Sequence, residues 1–364
     1  MNEATLTDTR RDGQPKGYVL RTPRRVLALR DLDERSLERS ASGGAFPVLA
    51  RPIVADRGIV IGARLCEDGT VRHVCVEDAE GLSSLQGSVY ACSKLERSYA
   101  LVAEALASGR RTFFVGTPCQ CAGLVSHLKH KGLVSSLEES ENLIVCDLVC
   151  HGTPKQAIFS AHQQWLADKV QADDGIHGFK FRSKKRGWGL YYYYYYYRNG
   201  RRHEVCEPAE YDPYYRAFLR GLIYRSGCYS CPFSRCERVS DFTIGDYWGI
   251  EWAHPDFYDE RGVSLLLVNT LKGESYFDAR CSGSCIWRES TFEQASRENH
   301  NLKAPTPRGE GYEALMSEVN ACLDAQNYDK LFDEVLKLQL KPKDRIKRVL
   351  PGGLLDILRK LKRH

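Results

Sequence analysis

The sequence predicts an α/β fold: mixed sheets built from parallel strand–Gly-Thr-Pro-x-Gln–helix units, followed by a helical, basic C-terminal tail. Three observations predict it. Two apolar runs, residues 112–115 and 143–149, each lead into the same pattern: Gly116-Thr117-Pro118-Cys119-Gln120 and Gly152-Thr153-Pro154-Lys155-Gln156. A strand that feeds a helix, and does so twice, is the mark of parallel strands joined by helical crossovers. Other runs, broken at Asp-Gly or Asn-Gly, add antiparallel hairpins. Hydrophobic residues make up 43% of the 364, enough to bury a core.

Residues 1–25 mix charge with Pro and Gly and read as a flexible lead-in, without the apolar stretch of a secretory signal. Residues 35–46, RSLERSASGGAF, follow. Ser42 can cap a helix there. Gly43 and Gly44 would let backbone N–H groups approach a phosphate at its N-terminus, although an ordinary turn explains the same residues. Ile59–Leu65 and Val71–Val76 read as strands around a turn at Asp68 and Gly69. Residues 87–90 form a polar loop before a helix whose apolar residues, Tyr99, Val102, Ala103 and Leu106, recur at a helical period. In both Gly-Thr-Pro-x-Gln copies the Thr is set to cap a helix, the Pro to fill its first turn and the Gln to close a capping box. Parallel strands end at one edge. Cys119 and Cys150 are therefore expected to emerge together, where open α/β sheets bind ligands. Cys119 also lies in a first helical turn, which favours a thiolate.

Residues 176–181 and 189–198 read as strands; the second contains seven consecutive tyrosines and ends at Asn199 and Gly200, a hairpin signal. A uniform run cannot specify its own register. It is read as a sheet strand with one face buried, in preference to a ladder for stacking a ring. Residues 211–223 read as a helix and 263–270 as a buried strand, with a Pro-rich boundary at 300–310 before further helices.

The chain holds 14 cysteines and no run long and apolar enough to cross a membrane. The expected setting is a reducing cytoplasm, where cysteines act as metal ligands, catalytic thiols or core fillers. Cys66, Cys75, Cys146 and Cys206 fall in strands and are read as core. The net charge of +5 is uneven: residues 341–364 hold nine Lys/Arg against two Asp. The rest is slightly acidic, with no basic footprint for nucleic acid. In the tail, Leu354, Leu355, Leu358 and Leu361 sit at helical spacing among Arg359, Lys360, Lys362 and Arg363. That pattern suits an anionic surface, either a partner or the inner membrane, or else a helix docked on its own domain.

The chemistry centres on residues 228–250, CYSCPFSRCERVSDFTIGDYWGI, with three cysteines within nine residues. Cys228 and Cys231 form a C-x-x-C pair whose turn brings both sulfurs to one side, and Pro232 follows as it often does in iron–sulfur loops. Zinc, iron–sulfur and redox uses all remain open at that spacing. Soft sulfur ligands exclude calcium and magnesium.

Several stretches carry a wider resemblance. These are SGGAF (42–46), GSVYACS (87–93), FFVGTPCQCAGL (113–124), DLVCHGTP (147–154), CYSC (228–231) and RVSDFTIGDYWGI (238–250). In this order the chain resembles the beta-subunit family of coenzyme F420 hydrogenases and dehydrogenases. The resemblance implies bound FAD, a 4Fe-4S cluster, and electron transfer between a deazaflavin, ferredoxin-like centres or another reductant and a small-molecule substrate. Relatives include chlorophyll-pathway reductases and bacterial proteins associated with exopolysaccharide synthesis.

The resemblance and the expected thiol placement indicate the same cluster ligands, Cys119, Cys150, Cys228 and Cys231, with Cys121 and Cys236 as substitutes. Ser42, Gly43, Gly44, Gly87, Ser88, Tyr90, Gly116 and Thr117 are the expected FAD contacts, and Gly44→Val should lose flavin while keeping the fold. His151 is placed to donate a proton beside the flavin, or else caps its loop. Asp246 is expected to orient a ligand loop. The implied division is residues 26–135 and 136–300 as the two family regions, with 301–364 a helical, basic tail. The chain departs from the family at two points. It has no cysteine before Cys66, where members often carry a two-cluster ferredoxin domain, so a ferredoxin-like or other donor protein, or the flavin's own substrate, would supply electrons. Val89 stands where the family usually has Lys, which bears on use of coenzyme F420. The expected function is a flavin- and iron–sulfur-dependent oxidoreductase, in an exopolysaccharide pathway. The rival is a non-catalytic zinc- or cluster-stabilised module that recruits partners in cell-surface polysaccharide synthesis.

Overall fold

The computed structural model describes residues 18–337; most of the expected lead-in and the whole basic amphipathic segment lie outside them. Strand β1 (Arg25–Asp31) leads through α1 (Glu34–Arg39) and α2 (Ala45–Ala55) to β2 (Ile59–Leu65) and β3 (Val71–Val76). Next come α3 (Ala79–Ser84), α4 (Ser98–Ala107), β4 (Thr112–Gly116), α5 (Pro118–His130) and β5 (Leu143–Leu148). Helix α6 (Gln156–Val170) opens a second lobe holding β6 (His177–Lys180), β7 (Tyr191–Arg198), β8 (Arg201–Pro208) and α7 (Pro213–Leu219). The chain returns through β9 (Phe242–Asp246), α8 (Ile250–Ala253), β10 (Ser264–Val268), α9 (Leu271–Arg280), β11 (Cys285–Glu289) and α10 (Phe292–Ser296). It continues into α11 (Tyr312–Asp324) and a π-helical turn, Lys330–Val335.

The large sheet has eight strands in the order β11-β1-β10-β9-β5-β4-β2-β3. Its centre, β9-β5-β4-β2, is parallel, and the outer pairings are antiparallel. This is the mixed α/β class that the sequence predicts. The expected division after residue 135 falls between α5 and β5, and the sheet runs across it. Side chains alternate between the faces of β4. Phe113 and Val115 share a core with Leu49 of α2 and Phe277 of α9, whereas Phe114 shares one with Val102 of α4 and Leu124 of α5. Helices cover both faces, which is why these strands read as continuous apolar runs.

In the second lobe Tyr192, Tyr194 and Tyr196 share a core with Phe159, Trp165 and Met316. The other face of β7 is covered by cations: Lys185 Nζ lies 4.1 Å from the Tyr193 ring and the Arg202 guanidinium 4.3 Å from Tyr195. The register comes from the turn to β8, where Asn199 and Gly200 take φ of 51° and 69°.

Local expectations fail where tertiary bonds compete. Helix α2 is capped by Gly44, at φ 84°, while the Ser42 hydroxyl bonds the Ser264 hydroxyl at 2.8 Å. At α5 the capping box forms, with Gln120 Oε1 accepting from the Thr117 N–H at 2.9 Å. The second copy forms none. Its helix starts at Gln156, whose amide turns to the β2–β3 hairpin, accepting from the Val71 N–H at 3.0 Å. Thr153 is instead drawn to the segment just before the C-x-x-C pair, its carbonyl accepting from the Arg225 N–H at 3.0 Å. Helix α7 stops at Leu219 because the Leu222 N–H bonds back to the Ala217 carbonyl at 3.0 Å. Of Cys66, Cys75, Cys146 and Cys206, Cys146 alone is fully buried. The expected boundary at 300–310 is tied in, since Thr306 donates to the His151 carbonyl at 3.1 Å and Tyr312 to the Tyr224 carbonyl at 2.7 Å.

Candidate functional site

Parallel strands β4, β5 and β9 all end at one edge of the sheet, and each runs into a loop there. A cavity of about 290 Å³ opens at this edge, with walls from both lobes. Seven expected contact residues line it: Ser42, Gly44, Gly87, Ser88, Tyr90, Gly116 and Thr117. Gly43 is not among the lining residues. A Cβ there would meet the Leu29 carbonyl at 2.2 Å and the Ser264 nitrogen at 2.4 Å, so this glycine serves backbone packing. Gly44 is in the left-handed region, and a Cβ would stand 2.9 Å from that of Asp31. Gly44→Val therefore strains the fold, contrary to the expectation that only flavin would be lost. One N–H at the start of α2, that of Ala45, is already bonded to Ser264 Oγ at 3.3 Å.

A smaller pocket of about 30 Å³ adjoins this cavity and is lined by Cys119, Cys150, Cys228 and Cys231. Cys119 is delivered by the first turn of α5, Cys150 by the loop after β5, and the pair by the segment between the lobes. Neither substitute lines the pocket. Cys121 faces the sheet, with Sγ 3.3 Å from the Cys146 carbonyl, and Cys236 bonds Glu237 at 3.0 Å. Burial pushes the Cys150 thiol up to about 12, and the Cys119, Cys228 and Cys231 thiols add to the shift. Burial raises Cys231 too, with Cys119 and Cys228 contributing. Four thiols lining one pocket are what a bound cation would convert into ligands, so the donor set fits a thiolate-held metal group. Among the described residues, no three His, Cys, Asp or Glu side chains are grouped to hold a single metal ion.

The C-x-x-C segment is anchored by a buried ion pair. Arg238 Nη2 donates to Asp147 Oδ1 at 2.7 Å, and its other N–H groups reach the Phe233 and Arg235 carbonyls, both at 3.2 Å. The two side chains are 1% and 0% exposed. This pins the segment beside the end of β5.

Thr117, Cys150, His151, Gly152, Thr153 and Arg225 line both spaces, so the two share a wall. Gly152 makes that wall thin: at φ 132°, a Cβ would stand 2.3 Å from the Tyr224 ring. Burial pushes the His151 imidazole below its ordinary value, against an opposing pull from Asp246.

Asp246 does not hold the thiol loop. It takes two bonds of 2.8 Å from Arg182 and one of 2.7 Å from Trp188 Nε1. Arg182 also donates to the Tyr90 hydroxyl at 3.3 Å and the Gly189 carbonyl at 2.9 Å. Trp188 stacks on Trp248, rings 5.0 Å apart and 3° from parallel. These groups join the lobes across the cavity. Arg182, Trp248, Cys92 and Arg225 line it and were not singled out from sequence. Cys92 sits inside GSVYACS, so its thiol was in view, but Arg182 and Arg225 carried no local motif.

The family model for the C terminus of the coenzyme F420 hydrogenase/dehydrogenase beta subunit matches residues 109–291. Among solved structures, the F420-reducing NiFe hydrogenase complex from Methanosarcina barkeri contains a similar chain. The two are 15% identical with a TM-score of 0.48, over 85% of this chain and 91% of that one. No curated protein matches.

Proposed function

Because the chain belongs to the coenzyme F420 hydrogenase/dehydrogenase beta-subunit family, we propose that it is an electron-transfer oxidoreductase with a four-iron cluster and FAD in adjoining sites. The observation that carries this is the shared wall: the residues around Cys150 face the thiol pocket on one side and the cavity on the other. Cys119, Cys150, Cys228 and Cys231 would hold the cluster, and Ser42, Gly44, Gly87, Ser88, Tyr90, Gly116 and Thr117 would contact the flavin. When bound, the pair supplies conversion between one-electron and two-electron transfer.

The chain's own residues do the rest. Arg182 and Asp246 neutralise each other and fix Tyr90, closing the cavity wall without leaving a free charge. His151 lines both spaces, where burial shifts its imidazole toward the neutral form against the pull of Asp246, and it is the residue proposed to exchange a proton beside the flavin. A separate ferredoxin-like or other donor protein delivers electrons to a small-molecule substrate, and a role in exopolysaccharide synthesis belongs to the same proposal. Zinc would accept the same four sulfurs, so the ligand set alone does not choose the metal.

The test is the visible spectrum of anaerobically purified protein, with iron, sulfide, zinc and flavin analysis. Flavin and cluster absorption with iron and sulfide is expected. Stoichiometric zinc without iron or flavin would refute the assignment.

A further inference from the structure

The two arginines in the cavity wall differ. Arg182 has all its N–H groups engaged, by Asp246, Tyr90 and the Gly189 and Ala41 carbonyls. Arg225 faces both the cavity and the thiol pocket, and its side chain bonds the Cys228 thiol rather than a carboxylate. Its backbone is fixed on both sides. The Arg225 N–H donates to the Thr153 carbonyl at 3.0 Å, and its carbonyl accepts from the Cys228 N–H at 2.8 Å. Beside it, Thr153 Oγ1 is buried without a hydrogen-bond partner and lines the same two spaces. A buried hydroxyl left unpaired is costly, and a ligand oxygen would remove that cost.

We propose that Arg225 and Thr153 form an oxyanion site at the thiol-pocket end of the cavity, recognising a phosphate or carboxylate group of the small molecule that enters. A guanidinium presents its donors in a planar fork that matches both anions. The Arg182–Asp246 pair is internally compensated, whereas Arg225 meets only a thiol and a guanidinium has five N–H donors, so donors remain for an anion. The proposal rests on the reading of this cavity as a small-molecule site, and its test reads anion binding separately from iron content.

The test uses the full-length protein with inorganic phosphate and, separately, acetate as probes. Binding is followed by the fluorescence of the tryptophans, since Trp248 lines the cavity, and iron is assayed in each preparation. The expected result is saturable binding of at least one anion, weakened about tenfold or more by Arg225→Gln, less by Arg225→Lys, and several-fold by Thr153→Val. Phosphate binding alone identifies a phosphoryl ligand, and binding of both admits a carboxylate. Thr153→Val keeps every charge, so it reports on the site even if Arg225→Gln also disturbs the thiol loop. No saturable binding, or equal affinity in wild type, Arg225→Gln and Thr153→Val, would overturn the proposal.

Discussion

Arg238 shows how much one side chain can hold in place. It is among the largest fully buried side chains, and its charge is met by Asp147 at the end of β5. Removing one partner leaves the other buried and uncompensated. Arg238→Met should therefore cost about 3–5 kcal/mol, while Arg238→Met with Asp147→Leu should recover much of that. Urea unfolding of the three proteins checks this; an equal loss in single and double variants would show that packing, not charge, is at stake. His73 makes a second test. It is 5% exposed, bonds the Val115 carbonyl at 3.1 Å and stacks on Phe114. Burial pushes its pKa down to about 4. The unfolded chain, at an ordinary value near 6.5, binds a proton first as pH falls. Stability from this group is thus full above about pH 6.5 and is lost toward pH 4, by roughly 3 kcal/mol in total. His73→Gln should flatten that part of the stability profile between pH 7 and 4, measured by urea midpoints.

Strands and helices were legible wherever local pattern and tertiary demand agree. The β2–β3 hairpin falls where Asp68 and Gly69 placed it, and β4 and β5 are parallel, as their repeated exits required. The two Gly-Thr-Pro-x-Gln copies then diverge. Gln120 stays local, whereas Gln156 leaves its helix for the β2–β3 hairpin, a contact no window of sequence contains. Similarly, Ser42 had the chemistry of a cap but found Ser264, more than two hundred positions away. The thiols were legible because C-x-x-C and the strand ends have strong local signatures. Arg182 and Arg225 were not, since their roles depend on which lobe faces which. The divergence is testable. Gln120→Ala should cost about 1 kcal/mol and speed hydrogen exchange in the first turn of α5, leaving the β2–β3 turn unchanged. Gln156→Ala should loosen that turn and spare α5. Identical exchange patterns in the two variants would contradict this.

Across the whole molecule, two lobes meet at the carboxyl edge of a parallel core, and the C-x-x-C segment crosses between them. Arg182 and Trp188 from one lobe clasp Asp246 and Trp248 of the other. The four thiols come from three separate stretches of chain, so the proposed cluster would also cross-link the assembly. The most direct measurement is iron and sulfide content in anaerobically purified Cys119→Ser, Cys150→Ser, Cys228→Ser and Cys231→Ser proteins. The Cys66→Ser, Cys75→Ser, Cys322→Ser, Cys121→Ser and Cys236→Ser proteins serve as comparisons. Strong loss in each of the first four, with content retained in the comparisons, is the result this account predicts. Full cluster content in Cys119→Ser or Cys228→Ser, or loss confined to Cys121→Ser and Cys236→Ser, would contradict it.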